Sequence, residues 1–320
     1  MRPIKLYFAG AWSGVCNEEE VNLGIKNKLV SYMYPQQLES WLKVAKNQKG
    51  NIIVDSGAFS AWSKGDKIDL GKYIEYAHKA IQDGKAQGKE VRIVNLDVIP
   101  GKKGETKTLQ NFTNTKNTDL VEQAAMRGYE NLETMLANGI TPIHVFHQGE
   151  RLYWLDKMIE KTDYIGISPA NDLGVPSRRK WIESVYNHLQ KKNCQVKTHG
   201  FAVWMPRILK DFPWTSCDAA TWRLVAAWGK IYYPARGLSN PDYSQLPSTI
   251  TVSNRRNAKG VGELTDEITQ DLENNGYPLE KLQDWAERAK VNVQYFLALE
   301  KWLNEQKKNI EYKPALKGFF

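Results

Sequence analysis

The chain is poor in the residues whose chemistry is easiest to name. Its three cysteines, Cys16, Cys194 and Cys217, are scattered with no CxxC or CxC pair, which excludes a disulfide framework and a thiolate zinc site. Histidines number five, and the one close pair, His144 and His147, would point to opposite faces of a strand. No metal site and no cofactor are therefore expected. No run approaches the ~18 apolar residues of a membrane span. The start MRPIKLYFAGAW lacks the long apolar stretch of a signal peptide, so a cytoplasmic location and no membrane partner are expected. A GxGxxG turn is missing, which weakens an open doubly wound sheet, and no internal repeat is found.

What is present is an ordinary globular composition with an uneven charge. Over 320 residues, 42% are hydrophobic and 25% charged, enough to bury a full core and to exclude intrinsic disorder. The net charge is +8, but residues 171–260 hold 14 Lys or Arg against 5 Asp or Glu, a net of +9. The remainder is close to neutral. A block of that kind is the electrostatic footprint of a polyanion, nucleic acid before membrane; a solvated basic face without a partner is the alternative. Of 35 aromatic residues, 11 are Trp, and some could stack on bases, although most should be core.

Short β-rich runs alternate with helical stretches over the first two-thirds of the chain. The runs cover 4–10, 28–35, 51–57, 90–99, 141–149, 163–170, 195–203 and 214–220, with helices expected at 71–84, 116–138, 151–161, 177–191 and 205–211. Alternation implies a parallel sheet, and eight strands imply an α/β fold of the (β/α)8 TIM-like barrel kind. The barrel is expected over residues 1–228. Residues 229–262, rich in Gly, Pro, Asn and Ser, read as loops, and from Leu264 to about Lys308 the chain reads as helix again. Residues 229–320 are thus expected to be a loop-rich segment and a C-terminal helical extension packed on the barrel, with no zinc subdomain.

In such a barrel the chemistry sits at the C-terminal ends of the strands. The runs close on Asp55-Ser56-Gly57, on Asn95-Leu96-Asp97, on His147-Gln148-Gly149, on Gly166 to Ser168 with Pro169 and Asn171, on His199-Gly200-Phe201 and on Asp218. Three carboxylates and a carboxamide at one mouth exceed what stability alone requires, though any one acid could be a helix N-cap.

These residues carry a resemblance. DSGAFSAW resembles the DSGGFQ signature of tRNA-guanine transglycosylases. The order that follows is similar too: the acidic end NLDVI, the Gln-Gly end VFHQG, the strand YIGIS, then an aspartate in FPWTSCDAATW. The likeness runs over roughly residues 50–222, and HGFAVWMPRILKDFPWTSCDAATW looks more like the phage and bacterial branch that places 7-deazaguanine bases in DNA, the DpdA-type proteins. The tRNA enzymes' CxCxxC zinc motif has no counterpart, Ala58 and Ser60 replace the usual Gly and Gln, and the aspartate is not followed by LPTR.

The resemblance implies exchange of guanine in DNA for a 7-deazaguanine such as preQ0. Retention at C1′ calls for a carboxylate nucleophile and a second group that handles the proton on the departing base. By similarity Asp218 is the nucleophile and Asp55 the general acid/base. Asp97 and Gln148 would read the base edge, with Phe59 from the DSGAF motif and the Gly166–Ile167 backbone also in the pocket. Gly57, Gly149 and Gly166 would let backbone approach a flat ring. Ser56 would bond the base or cap the next helix, and His199 would assist proton transfer or simply pack.

A base inside a duplex is out of reach, so the implied partner is DNA that is single-stranded or has a flipped base, alongside the free 7-deazaguanine base; helper subunits are allowed. Candidate phosphate contacts are Arg178, Arg179 and Lys180, then Arg207 and Lys210, then Arg223, and Arg255, Arg256 and Lys259 in a Gly/Asn loop. For a phage-encoded member the compartment would be the host cytoplasm. The rivals are the same chemistry on tRNA, a non-catalytic nucleic-acid-binding subunit, and a hydrolase that removes the base without replacing it.

Overall fold

The computed structural model describes residues 3–101, 118–170, 173–254 and 264–307. Eight parallel strands form one sheet: β1 (Lys5–Ala9), β2 (Lys28–Ser31), β3 (Asn51–Asp55), β4 (Glu90–Ile93), β5 (His144–His147), β6 (Tyr164–Ser168), β7 (Lys197–Gly200) and β8 (Ser216–Ala219). Their spatial order is β4-β3-β2-β1-β8-β7-β6-β5. The sheet curls until its edges meet. Val94 and Ile143 form a parallel bridge, Ile143 N–H donates to the Ile93 carbonyl at 2.7 Å, and Asn95 N–H donates to the Ile143 carbonyl at 2.8 Å.

Among the described residues the helices are α1 (Glu18–Asn22), α2 (Pro35–Val44), α3 (Ala58–Lys64), α4 (Leu70–Ala86), α5 (Thr118–Ala137), α6 (Leu152–Lys161), α7 (Val175–Lys191), α8 (Pro206–Asp211), α9 (Thr221–Ala227), α10 (Asp266–Asn274) and α11 (Trp285–Lys307). Local chemistry explains their starts. Asp69 caps α4 by accepting from the Lys72 N–H. Proline occupies the first turn of α2, α7 and α8, where its missing N–H costs nothing. None of these helices is long and apolar enough to cross a membrane.

Two expectations need correction. The segment 229–262 is not all loop: β9 (Lys230–Tyr233) and β10 (Ser248–Thr251) pair antiparallel, with Ile231 and Ile250 buried at the pairing. The helix expected from Leu264 to Lys308 is broken between α10 and α11, where Gly276 turns at φ +82° and Pro278 follows. Both residues oppose helix continuation.

The C-terminal helix is part of the main core. Val293, Phe296, Leu299 and Leu303 of α11 are buried in the same cluster as Phe8 and Trp222, and each such side chain contributes roughly 1.5–3 kcal/mol. Polar side chains then fix the helix against β1. Asn304 accepts from the Ile4 N–H at 2.7 Å and donates to the Ile4 carbonyl at 3.1 Å, while Glu300 accepts from the Leu6 N–H at 3.0 Å.

Candidate functional site

Alternation along the strands selects what reaches the inside of the curl. Tyr7, Ala9, Leu29, Ile53, Val94, Ile143, Val145 and Tyr164 form an inner cluster, distinct from the larger one between sheet and helices. Residues two apart share a face. Asp55 therefore follows Ile53 inward, His147 follows Val145, and Gly166 and Ser168 follow Tyr164. On β8, Ser216 points inward to meet the Tyr164 hydroxyl at 2.5 Å, so Asp218 points inward as well.

At the C-terminal ends of the strands these residues open onto a cavity of about 400 Å3. Asp55, Asp97, His147, Asp218 and Arg223 line it, with Phe59, Val145, Pro169, Phe201 and Ala202 among its walls. A slightly larger cavity, about 460 Å3, opens at the opposite end of β7 and β8 around Cys194 and Trp214. No carboxylate or histidine lines it, so the acid chemistry belongs to the first.

The three acids sit in different environments. Asp55 is pushed up to about 7, chiefly by burial and then by the neighbouring Asp97 charge, against a stabilising 3.1 Å hydrogen bond from the Gly57 N–H. Burial also pushes Asp97 upward, but its partners outweigh this and hold it below the usual carboxylate range. Ser56 donates to its Oδ1 at 2.9 Å and His147 Nε2 lies 3.0 Å from its Oδ2. Asp218 Oδ1 accepts from the Ala202 N–H at 2.9 Å, and His199 Nε2 lies 3.4 Å away, outside hydrogen-bonding geometry.

His147 is bracketed by acids. Its Nδ1 lies 2.9 Å from Glu150 Oε1, and although burial pulls the imidazole down, the two carboxylates outweigh that and raise it to about 10. His144, its neighbour along the chain, behaves oppositely: burial pushes it down to about 3. The Gly128 carbonyl can only accept, so the Asn95 amide nitrogen faces it at 2.8 Å and also donates to His144 Nδ1 at 2.8 Å. The His144 proton is thereby placed on Nε2.

The expected site residues divide by position. Asp55, Asp97, Asp218, Phe59 and Arg223 all line the cavity. Ser56 does not; it is fully buried, bonding Asp97 and accepting from the Ala58 N–H at the start of α3. Gly57 turns the chain at φ +75°, where a Cβ would meet Met33 Cγ at 2.5 Å, so its freedom serves the turn and not a ligand. Gln148 has the outward parity, and its carboxamide oxygen accepts from the Ala170 N–H at 3.0 Å. Gly149 is exposed beyond it. A Cβ on Gly166 would lie 2.3 Å from the Phe201 ring, so this glycine makes room for a cavity wall. Ile167 faces the helices, and its carbonyl is taken by the Phe201 N–H. His199 is wholly buried below Asp218, against Tyr7, Phe201 and the Ser216 hydroxyl. His147, Ser31, Tyr34 and Gln37 also line the cavity and were not singled out for it; parity with Val145 was the signal for His147.

The basic residues divide likewise. Arg223 Nε is buried without a hydrogen-bond partner among the described residues, beside Gly10. Arg179 pairs with Asp211 at 2.8 Å and with Glu183, and Lys210 lies over the Trp302 ring at 5.8 Å. Lys180 and Arg207 are exposed, and Arg178 lies in the first turn of α7. Arg255, Arg256 and Lys259, like Asn171, lie outside the described residues.

No family model matches the chain, and no curated protein matches it. Among solved structures it is similar to a probable tagatose 6 phosphate kinase from Sinorhizobium meliloti 1021, at 11% identity over 95% of this chain and 86% of that one, with a TM-score of 0.39. A likeness of that size carries no argument about chemistry.

Proposed function

We propose that the chain is a DNA-guanine transglycosylase, built on a (β/α)8 barrel, that replaces guanine with a 7-deazaguanine of the preQ0 kind. The observation that carries this reading is the presence in one cavity of Asp218 and Asp55, with Asp55 raised to about 7 and so able to hold a proton near neutrality. Retaining exchange at C1′ needs that division between two carboxylates. The cavity volume falls within the range of small-ligand pockets.

In the first half-reaction a carboxylate oxygen of Asp218 attacks C1′. The C1′–N9 bond breaks with its electron pair passing to the base, and Asp55 gives its proton to the departing guanine. In the second, the Asp55 carboxylate takes the N9 proton of the incoming base, N9 attacks C1′, and the bond to Asp218 breaks with its pair returning to the carboxylate. The Ala202 N–H orients the nucleophile throughout. Ionised Asp97 faces the donor edge of a guanine-type base, and a base lacking those donors leaves a buried acceptor unpaired at about 1–3 kcal/mol. Arg223 supports the nucleic-acid partner as a cation at the cavity wall.

The test is incubation with labelled guanine and either DNA or tRNA, followed by nucleoside mass spectrometry. Label entering DNA, and none with Asp218→Ala, is the expected result. Label entering tRNA alone moves the substrate to RNA, and free guanine with an abasic site makes the protein a hydrolase.

A further inference from the structure

The cavity holds two acids that cannot both ionise cheaply, Asp55 and Asp97, and the structure provides something that chooses between them. His147 Nε2 lies 3.0 Å from Asp97 Oδ2 while its Nδ1 lies 2.9 Å from Glu150 Oε1, so both ring nitrogens are held by carboxylates. Only the doubly protonated imidazolium can donate in both directions. Ser56 donates to the other Asp97 oxygen at 2.9 Å. Asp55 has no such cation hydrogen-bonded to it; its carboxylate is met by backbone N–H groups, those of Gly57 and Ser56.

We infer that His147, oriented by Glu150, is a positioning residue that pins Asp97 as an ionised, immobile acceptor and leaves Asp55 as the cavity acid that carries the proton. The pair acts at a distance from the exchanged bond: Glu150 is reached only through His147 and does not line the cavity. Other charges bear on the same balance. Asp218 and the buried Tyr73 hydroxyl face Asp55, neutral His144 lies beside His147, and Arg223 lines the same cavity. None of these hydrogen-bonds Asp97 among the described residues. Glu150 itself is pushed up by burial and restrained by His147, so the imidazolium serves two acids with one charge.

What this means for base exchange rests on the transglycosylase reading, but its test does not. Carbon-13 NMR of the protein labelled at aspartate carboxyls, with Asp55→Asn and Asp97→Asn as assignment variants, follows each proton directly. In the parent, the Asp55 carboxyl should titrate near neutrality while Asp97 stays ionised below the usual carboxylate range. In His147→Phe, Asp97 should titrate at least one pH unit higher and Asp55 lower. His147→Gln, which keeps one N–H toward Asp97 without the charge, should fall between them, and it decides the matter if the Phe variant does not fold. Glu150→Gln, which keeps an acceptor for Nδ1, should leave Asp97 ionised. An Asp97 midpoint identical in the parent, His147→Gln and a folded His147→Phe overturns the inference. If the titrations behave as stated but no nucleic acid exchanges guanine, the chemistry falls and the positioning role stands.

Discussion

The backbone N–H of Ala202 donates to Asp218 Oδ1 over 2.9 Å from a residue at φ +53°. A left-handed non-glycine residue costs roughly 1–2 kcal/mol, and here the strained turn aims a donor at the carboxylate proposed to attack C1′. Asp218→Ala should lower exchange by at least on the order of 10³-fold, read by labelled-guanine uptake and by loss of the covalent protein–DNA adduct on a denaturing gel. Ala202→Gly accepts the same φ and should keep exchange close to parental. Ala202→Val, β-branched where φ is positive, should lose both stability and exchange.

Asp55 gives a pH prediction of definite sign. Its folded value, about 7, lies above the ordinary value near 4, so the folded state binds this proton more tightly than the unfolded one. The associated stability is present at low pH and is lost as pH rises from about 4 through 7. Asp55→Asn should therefore be progressively more stable than the parent across that window, by on the order of 2 kcal/mol above it after allowance for solvent at the cavity mouth, where Asp55 is partly buried. Thermal melts at pH 4 and pH 8 check this. Guanine release by the parent should fall about tenfold per pH unit above neutrality, because the acid form supplies the proton.

Gly166→Ala tests the cavity wall. Its new methyl would stand 2.3 Å from Cε2 of Phe201, and a ring packed against His199 at 4.5 Å cannot move without disturbing the group below Asp218. A destabilisation of about 1–3 kcal/mol is expected from such overpacking. Base affinity should fall as well, measured by calorimetry with free 7-deazaguanine, whereas Gly139→Ala, where no atom crowds the position, should leave base affinity unchanged.

The salt dependence of DNA binding should separate the basic residues. Each phosphate contact adds about 0.9 to the slope of log affinity against log salt. Arg223→Ala should remove close to that amount, since its guanidinium lines the cavity. Arg179→Ala should leave the slope unchanged, because Arg179 is already engaged by Asp211 and Glu183, and Lys210→Ala should do the same because its ammonium lies over Trp302. Equal losses from all three would show that binding is diffuse and does not pass through the mouth.

Strands such as β1, β3 and β6 were legible because each is a short apolar run bounded by polar or glycine residues, and such runs are what a sheet buried on both sides requires. β7 (KTHG) and β8 (SCDA) are more polar and were legible from the apolar residues around them and from the alternation with helices. Helices α2 and α3 were not, since α2 begins inside the run ending at Pro35 and α3 begins one residue after the Gly57 turn. The β9–β10 pair was hidden by its Gly- and Pro-rich surroundings. Within the site, Asp55, Asp97 and Asp218 could be read from strand ends. Gln148 shares the strand end with the acids but has the opposite parity, which turns it to the Ala170 N–H and away from the cavity; the same alternation brings His147 in. That Gly166 serves Phe201 could not be read at all, because the two meet only across neighbouring strands.

The pairing of Asn304 with Ile4 joins residues 300 positions apart in the chain. At ordinary synthesis rates of about 5–20 residues per second, β1 waits roughly 15–60 seconds for the helix that covers it. From the completion of β8 at Ala219 to Asn304 is a further 85 residues, roughly 4–17 seconds at those rates, during which β1 can pair with β8 but lacks the helix that covers it. A chain that stalls short of α11 therefore leaves the apolar outer face around Phe8 and Trp222 uncovered and should be a substrate for chaperones.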